Sequence, residues 1–338
     1  MSTIQRFSRR AVAAFGRCAA ALVSLGWLAF GVAQAAEPDR VLFLTNWFAE
    51  AEHGGFYQAL AEGIYKRAGL DVTIKMGGPQ VNVYQLLLAE QADFIMGYDI
   101  ATIKAVEQGL PLVTVAATFQ SDPAVLIAHP DVQSMTDLKS RTLLIGQASE
   151  TTFWPWLKGK YGFSDENKRP YAFSVQQFLT DKNIAQQGYV TSEPYSIEKG
   201  GVKPKLFLLA ESGYPPYAET VVALRKTVET KPDLVRRFVE ATAQGWKSYL
   251  HNPAPGNALI KRDNPQIEDE LLAYSLGKMK QYKLVTGGDA ARAGIMTMSD
   301  ARWKQTFDFM VGAGLLRSDV DIRKAYTLDI VRKVKVLP

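Results

Sequence analysis

Short apolar runs alternate with segments of helical periodicity from Val41 onward, and this alternation constrains the fold more than any other feature. Four segments have the character of buried strands: RVLFLTNW, LDVTIKMG, ADFIMGYDI and PLVTVAATF. Three segments between them have helical spacing: GFYQALAEGIYKRAG, VNVYQLLLAEQ and ATIKAVEQG. Strands separated by helices of about ten to fifteen residues predict a mostly parallel sheet covered by helices.

A second unit of the same kind begins near His129. Strand patterns recur in MTDLKSRTLLIG, QQGYVTSEPYSI and KPKLFLLAES, and amphipathic helices follow in DLVRRFVEATAQGWKSYL and DARWKQTFDFMVGAGLL. We therefore expect an α/β protein with two lobes, each a mostly parallel sheet flanked by helices, joined by two crossings of the chain. The predicted boundaries are 37–128 plus 222–338 for the first lobe and 129–221 for the second.

Two details of the first lobe are predicted from local signals. Phe56, Leu60 and Ile64 fall on one helical stripe, so a single helix is expected up to a stop at Gly69. Asn82 precedes the next apolar helical segment and is predicted to cap it, because asparagine side chains accept hydrogen bonds from free N–H groups at helix starts.

Residues 1–35 have the pattern of a cleavable secretory signal. Four arginines and no acidic residue are followed by the apolar stretch 18–33 and by Ala33-Gln34-Ala35, a small-x-small cleavage site. Ser8-Arg9-Arg10 resembles a twin-arginine signal only weakly, so export by the Sec route is favoured. We expect a soluble periplasmic protein that is not inserted in the membrane after cleavage.

Removal of the signal changes the charge and the cysteine count. The full chain has 39 basic and 34 acidic residues, and loss of four arginines leaves 35 basic residues against 34 acidic ones. A mature net charge of +1 gives no support for binding nucleic acid. The single cysteine, Cys18, also leaves with the signal, which excludes cysteine nucleophiles, iron–sulfur clusters and cysteine zinc sites.

Motifs for metal binding or catalysis are missing from the sequence. Three scattered histidines, His53, His129 and His251, include no paired metal-ligand spacing, and there is no G-x-S-x-G, P-loop or G-x-G-x-x-G segment. Glu50, Glu52 and His53 lie close together, but their spacing favours polar residues beside a helix start over a metal site. We predict no metal, no cofactor and no catalytic residue.

Polar or aromatic side chains follow several predicted strands, and ligands of open α/β sheets bind at such strand ends. These positions are Asn46-Trp47, Tyr98-Asp99, Gln120-Ser121, 150–153 and Glu193-Pro194-Tyr195. Thr151 and Thr152 either cap the helix that follows or mark free N–H groups that bind a ligand. Five such positions together predict a binding cleft.

The ordered set of segments resembles the NMT1/THI5-like group of periplasmic substrate-binding proteins, which serve ABC importers in the nitrate, sulfonate, taurine and pyrimidine-precursor class. The likeness is carried by TNWFAEAEHGGFYQALAEGIYKRAGLDV, EQADFIMGYDIATIKAVEQGLPLVTVAA, MTDLKSRTLLIG, QQGYVTSEPYSIEK and KPDLVRRFVEA. The resemblance implies a two-lobed (type II) binding-protein fold that closes on a ligand. It also implies that Trp47 stacks on the ligand, that Glu193 is the acid that holds it, and that His53 lies near the site.

The predicted ligand is small and heteroaromatic, of the pyrimidine or thiamine-precursor type, and the predicted partners are this ligand and the transmembrane subunits of an ABC permease. The protein itself is expected to be a monomer. The candidate ligand-binding residues are Asn46, Trp47, His53, Gly54, Tyr57, Tyr98, Asp99, Gln120, Thr151, Thr152, Glu193 and Tyr195.

Three alternatives remain open at the level of sequence. The first is a binder of a sulfonate, taurine or nitrate anion, although such anions call for Arg or Lys in the cleft. The second is an enzyme related to the pyrimidine-precursor synthase, with His53 as base beside Glu52 or Asp99. The third is a sensor domain without a transport role, since one fold serves several functions.

Overall fold

The computed structural model describes residues 37–78 and 80–338, and residues 38–338 form one compact unit. The predicted signal segment 1–35 lies outside the described residues. The strands are, in chain order, β1 (Asp39–Leu44), β2 (Leu70–Lys75), β3 (Phe94–Gly97), β4 (Leu112–Phe119), β5 (Ala124–Ala128), β6 (Thr142–Ile145), β7 (Lys168–Pro170), β8 (Ile184–Tyr189), β9 (Lys205–Leu208) and β10 (Ala218–Leu224).

These strands form two five-stranded sheets, ordered β2-β1-β3-β10-β4 and β7-β6-β8-β5-β9. In the first sheet β1 runs parallel to β2 and β3, whereas β10 runs antiparallel to both β3 and β4. In the second sheet β6 is parallel to β7 and β8, whereas β5 is antiparallel to β8 and β9. Each sheet is therefore mixed, with one reversed strand among four that share a direction, and the predicted two-sheet α/β architecture is confirmed.

The reversed strands are the ones by which the chain enters each sheet from the other. β5 follows β4 of the first sheet, and β10 follows β9 of the second. The predicted boundaries placed 124–128 in the first lobe and 218–221 in the second, but backbone pairing places both segments in the opposite sheets. We therefore propose lobe boundaries in the connecting segments 120–123 and 209–217.

Helices cover the sheets. They are α1 (Gly54–Ala61), α2 (Ile64–Arg67), α3 (Val83–Leu88), α4 (Asp99–Glu107), α5 (Phe153–Tyr161), α6 (Gln176–Thr180), α7 (Glu193–Lys199), α8 (Arg225–Thr230), α9 (Pro232–His251), α10 (Ala254–Asp263), α11 (Asp269–Gln281), α12 (Ala290–Ala293) and α13 (Asp300–Gly312). Short 3₁₀ helices occupy Ala51–His53, Met135–Ser140, Gln147–Thr151, Asp165–Asn167, Ile322–Lys324 and Val331–Lys333.

The helix predicted to run without interruption to Gly69 is two helices. The chain breaks between α1 and α2 because Gly63 has φ +67°, a left-handed conformation that ends a helix. The predicted stop at Gly69 is confirmed, since this residue has φ +71°. The predicted cap of α3 is also confirmed, because Asn82 Oδ1 accepts a hydrogen bond from the N–H of Gln85 at 3.2 Å.

Close packing of α1 against α9 fixes the segment that follows β1. A Cβ atom at Gly245 of α9 would lie 2.2 Å from the carbonyl oxygen of Gly55, and one at Gly55 would lie 2.2 Å from the ring of Trp246. Only glycine permits this approach of the two backbones. The Gly54-Gly55 pair therefore serves helix packing, and α1 holds residues 45–53 over the end of the first sheet.

We predict that Gly245→Ala lowers the free energy of unfolding by about 1–3 kcal/mol, because the added methyl group overpacks the contact with α1. Gly277→Ala in α11 is the matched control. No heavy atom lies within 4 Å of its Cβ position, so the same substitution should stabilise by about 0.5–1 kcal/mol through helix propensity. Urea denaturation measures both changes, and a stabilising Gly245→Ala would contradict the packing described here.

Candidate functional site

A cavity of about 480 Å³ lies where the ends of the two sheets face each other. This volume falls in the range of about 300–1,000 Å³ that small-molecule sites occupy. The first sheet contributes residues that follow β1 and β3 and the beginning of β10. The second contributes residues that follow β6 and β7, the end of β8 and the start of α7.

Aromatic side chains from both sheets form much of the cavity wall. The rings of Trp47, after β1, and Phe173, after β7, lie 5.0 Å apart between centroids. Phe173 also contacts Tyr171 at 5.2 Å, and Phe153 meets Tyr214 edge to face at 6.2 Å. Rings in this arrangement offer flat apolar faces and are suited to a planar ligand.

A hydrogen-bond network crosses the cavity from one sheet to the other. Asn46 Nδ2 donates to the hydroxyl oxygen of Tyr98 at 3.1 Å and to Glu219 Oε1 at 3.5 Å. The Tyr98 hydroxyl donates to the same Glu219 oxygen at 3.2 Å, and it lies 2.5 Å from the hydroxyl of Tyr189 on β8. This last contact links the strand ends of the first sheet directly to the second.

His53 stands behind this network and does not line the cavity. Its Nε2 lies 3.2 Å from Asn46 Oδ1, and since Asn46 Nδ2 is the donor on the other side, Nε2–H donates here. Complete burial lowers the pKa of His53 to about 3, so the ring is neutral. The side chain orients Asn46 and is not placed to act on a ligand.

Carboxyl groups are the only ionisable acid or base side chains in the cavity wall, apart from tyrosines, and no Lys, Arg or His is among its lining residues. Burial, with Glu52 nearby, raises the pKa of Glu219 to about 8. Burial and the neighbouring Glu52, Glu219 and Glu193 raise the pKa of Glu50 well above its usual range. Burial also raises the pKa of Asp99 to about 7 and that of Asp122 to about 6.

Two of these carboxyl groups are occupied by hydrogen bonds within the protein. Glu193 accepts from the Tyr171 hydroxyl at 3.1 Å, from the Tyr189 N–H at 2.7 Å and from the Ser192 hydroxyl at 2.5 Å. Asp99 accepts from the N–H of Ile100 and of Tyr217 and from the Thr306 hydroxyl. Their oxygens hold the cavity wall in place.

Glu219 and Glu50, in contrast to Glu193 and Asp99, have carboxyl oxygens without hydrogen-bond partners. Oε2 of Glu219 is buried and has no hydrogen-bond partner, and the Glu50 side chain has none among the described residues. A buried polar atom without a partner is rare in folded proteins and costs about 1–3 kcal/mol. Glu219 and Glu50 therefore retain hydrogen-bonding capacity that no described side chain uses.

Half of the candidate residues from the sequence line the cavity: Asn46, Trp47, Tyr98, Asp99, Thr152 and Glu193. The other half lie elsewhere for identifiable reasons. His53 bonds Asn46, Gly54 packs against the Tyr249 ring, Tyr57 donates to Asp263, Gln120 donates to the Thr297 carbonyl, the exposed Thr151 bonds the Ala148 carbonyl, and Tyr195 donates to Glu268.

Several lining residues were missed at the level of sequence: Asp122, Tyr171, Phe173, Gln187, Tyr189, Tyr214, Tyr217 and Glu219. Glu219 carried a usable signal, because a carboxylate near the start of the fully buried strand β10 is unusual. The aromatic residues of the second sheet carried none, since buried aromatic side chains near strand ends are ordinary core residues.

The described residues contain no cluster of three or more His, Cys, Asp or Glu side chains arranged to hold a metal ion. None of the described helices is both long and apolar enough to span a bilayer.

Two α/β sheets with a ligand-sized cavity at their facing strand ends define the periplasmic binding-protein fold. The chain belongs to the NMT1/THI5-like family, whose profile matches residues 50–255. The resemblance stated from the sequence is confirmed.

Three relatives illustrate this placement. The riboflavin-binding protein RibY of Chloroflexus aurantiacus is 26% identical over 87% of this chain and 86% of its own length. The formylaminopyrimidine-binding protein of Halalkalibacterium halodurans is 23% identical over 75% of this chain and 82% of its own. In structure, the alkanesulfonate-binding protein SsuA of Xanthomonas axonopodis pv. citri bound to MOPS aligns with a TM-score of 0.61 at 16% identity. That alignment covers 87% of this chain and 99% of SsuA.

We predict that Tyr98→Phe lowers the free energy of unfolding by about 1–3 kcal/mol, because it removes the hydroxyl shared by Asn46, Glu219 and Tyr189. Tyr195→Phe is the matched control. Its hydroxyl makes one hydrogen bond to the exposed Glu268, so the loss should stay below about 1 kcal/mol. Equal losses in urea denaturation would show that the buried network does not stabilise the fold.

Proposed function

We propose that this protein is the periplasmic substrate-binding component of an ABC importer and that it captures a neutral, planar heteroaromatic ligand between its two lobes. Membership of the NMT1/THI5-like family supports the class of function. The cavity itself supports this choice of ligand, because its lining residues include aromatic side chains and carboxyl groups but no Lys, Arg or His.

The curated relatives support the same ligand class, because one is named for riboflavin and another for a formylaminopyrimidine. Of these two, we favour riboflavin as the first candidate. A cavity of about 480 Å³ is in the range for drug-sized ligands, and a single pyrimidine ring would fill only part of it. Two pairs of aromatic rings line the cavity, Trp47 with Phe173 and Phe153 with Tyr214, and their flat faces suit a fused ring system.

An anionic ligand of the sulfonate or nitrate type is disfavoured. Recognition of such groups uses Arg or Lys side chains, and neither type is among the lining residues of the cavity. Arg302 lies over the ring of Tyr217, a lining residue, and its guanidinium is occupied by the backbone carbonyl groups of Pro215 and Gln120. We therefore propose that this protein shares the fold of the sulfonate-binding proteins but not their class of ligand.

An enzymatic role for His53 is also disfavoured. The ring lies behind Asn46 and does not line the cavity, and its low pKa gives it little basicity. A general base must reach the proton that it removes, directly or through one water.

The experiment that tests the proposed ligand class is a titration followed by calorimetry and, for riboflavin, by flavin fluorescence. We expect riboflavin to bind most tightly, the formylaminopyrimidine more weakly, and taurine and nitrate not at all. Saturable binding of an anion together with no binding of either heteroaromatic compound would refute the proposal.

We predict that Trp47→Leu weakens riboflavin binding about tenfold or more, because a leucine cannot supply the ring-on-ring contact or the same buried area. Phe48→Leu is the matched control. Phe48 is the next residue in the chain, 41% exposed, and does not line the cavity, so its effect should stay below about threefold. Equal effects of the two variants on riboflavin affinity would show that Trp47 does not contact the ligand.

We predict that the protein recovered from the periplasm begins at Ala36, because Ala33 and Ala35 supply the small residues that signal cleavage requires. Mass spectrometry of the amino-terminal peptide measures this directly. Ala35→Leu should block processing, whereas the same substitution at Ala20, inside the apolar stretch, should not. A periplasmic form that retains residues 1–35 would contradict the prediction.

A further inference from the structure

Phe173 is the outermost aromatic ring of the cavity wall. It lines the cavity and is nevertheless 56% exposed, whereas Tyr171, whose ring centroid lies 5.2 Å away, is buried. Four other large apolar side chains of the described residues are exposed, and none of them lines the cavity. A side chain that meets both the cavity and the solvent lies where the cavity opens, so Phe173 marks the mouth of the cavity.

The ring of Phe173 closes this mouth by contacting a residue anchored on the other sheet. Phe173 follows β7 of the second sheet, and Trp47, whose ring centroid is 5.0 Å away, follows β1 of the first. Both residues line the cavity. Because the two rings are held by different sheets, their contact is lost when the sheets move apart, and a ligand that enters at the mouth passes between them.

The backbone at Phe173 indicates that the residue is present for its side chain. It has φ +56°, in the left-handed region where bulky residues are outliers and glycine or asparagine is preferred. The turn between β7 and α6 therefore gains nothing from a phenylalanine. The core gains little either, since Phe173 is more than half exposed. Strained residues of this kind concentrate at ligand clamps and switch regions, and the remaining role for this ring is its contact with Trp47.

We propose that Phe173 is a gate at the mouth of the cavity, which closes against Trp47 and opens each time a ligand enters or leaves. This inference rests on the proposed function and adds a kinetic role to it. A closed gate slows entry, because only the open fraction of the protein admits a ligand. It also slows departure of a ligand that is already bound. The attraction within an aromatic pair biases such an equilibrium toward contact by about two- to tenfold.

The test is stopped-flow measurement of riboflavin association and dissociation by flavin fluorescence. Phe173→Ala should raise the association rate constant by about two- to tenfold, because the mouth no longer closes. It should raise the dissociation rate constant by at least the same factor. A ring that only stacked on the bound ligand would change dissociation alone, since contacts made after entry affect association little. Faster association is therefore the signature of a gate.

Phe48→Ala is the matched control. Phe48 also contacts the Trp47 ring, at 5.5 Å, but it is the next residue in the same segment and does not line the cavity. Both rate constants should stay within about twofold of the wild type. Phe173→Tyr keeps the ring and should likewise leave both rates within about twofold. The gate is overturned if Phe173→Ala leaves association unchanged, or if Phe48→Ala speeds it equally.

A measurement without ligand separates the gate from the proposed function. The chain expected after signal cleavage has no cysteine, so an introduced pair supplies the only thiols. Phe48→Cys and Ser174→Cys place one thiol beside Trp47 and one beside Phe173, at exposed positions, and leave both rings in place. A short bifunctional thiol reagent should join the two within one chain, as measured by peptide mass. Failure to join them would overturn the closed mouth even if riboflavin binds.

Riboflavin then tests the route through the mouth. Protein joined before riboflavin is added should bind it at least about tenfold more slowly than the same variant left unjoined, and protein joined after loading should release it at least about tenfold more slowly. Unchanged association after joining would show that the ligand enters elsewhere and would overturn the gate. Failure of every heteroaromatic compound to bind the wild type would instead refute the proposed function.

Discussion

The burial of Glu219 where the two sheets meet is the constraint on which the site depends. The chain returns from the second sheet through β10, which enters the first sheet antiparallel between β3 and β4. That path places a carboxyl group beside Asn46 and Tyr98, and Tyr98 in turn contacts Tyr189 of the second sheet. Because no cation lines the cavity, hydrogen bonds and protonation must stabilise the acid, and the resulting surface suits a neutral ligand.

Packing of α1 against α9 positions a second part of the cavity wall, which is formed by the segment between β1 and α1. Gly55 and Gly245 bring α1 and α9 into backbone contact, which fixes the segment between β1 and α1. That segment presents Trp47 and Glu50 to the cavity and keeps His53 behind it. A crowded loop that could have held a metal or a catalytic base therefore forms one wall of a binding cavity. We propose that ligand recognition depends on flat aromatic faces and on a few hydrogen bonds with fixed direction.

The parts of the site that could be predicted from sequence are those set by local periodicity. The alternation of strands and helices predicts which residues follow each strand, and Trp47 and Tyr98, predicted in this way, line the cavity. Glu219 and Phe173 could not be predicted from sequence. Strand order, the reversal of β10 and the left-handed backbone at Glu219 all depend on pairings between distant segments. Tyr195, also predicted in this way, is not among the lining residues, and its hydroxyl donates a hydrogen bond to Glu268.

We propose that this cavity selects a neutral heteroaromatic ligand over an anion, within a fold that sulfonate-binding proteins share. Native mass spectrometry of the protein incubated with an equimolar mixture of riboflavin, the formylaminopyrimidine, taurine and an alkanesulfonate tests it most directly. We expect that the retained mass is that of a heteroaromatic compound and that no anion adduct survives. A complex with taurine or the alkanesulfonate would contradict it.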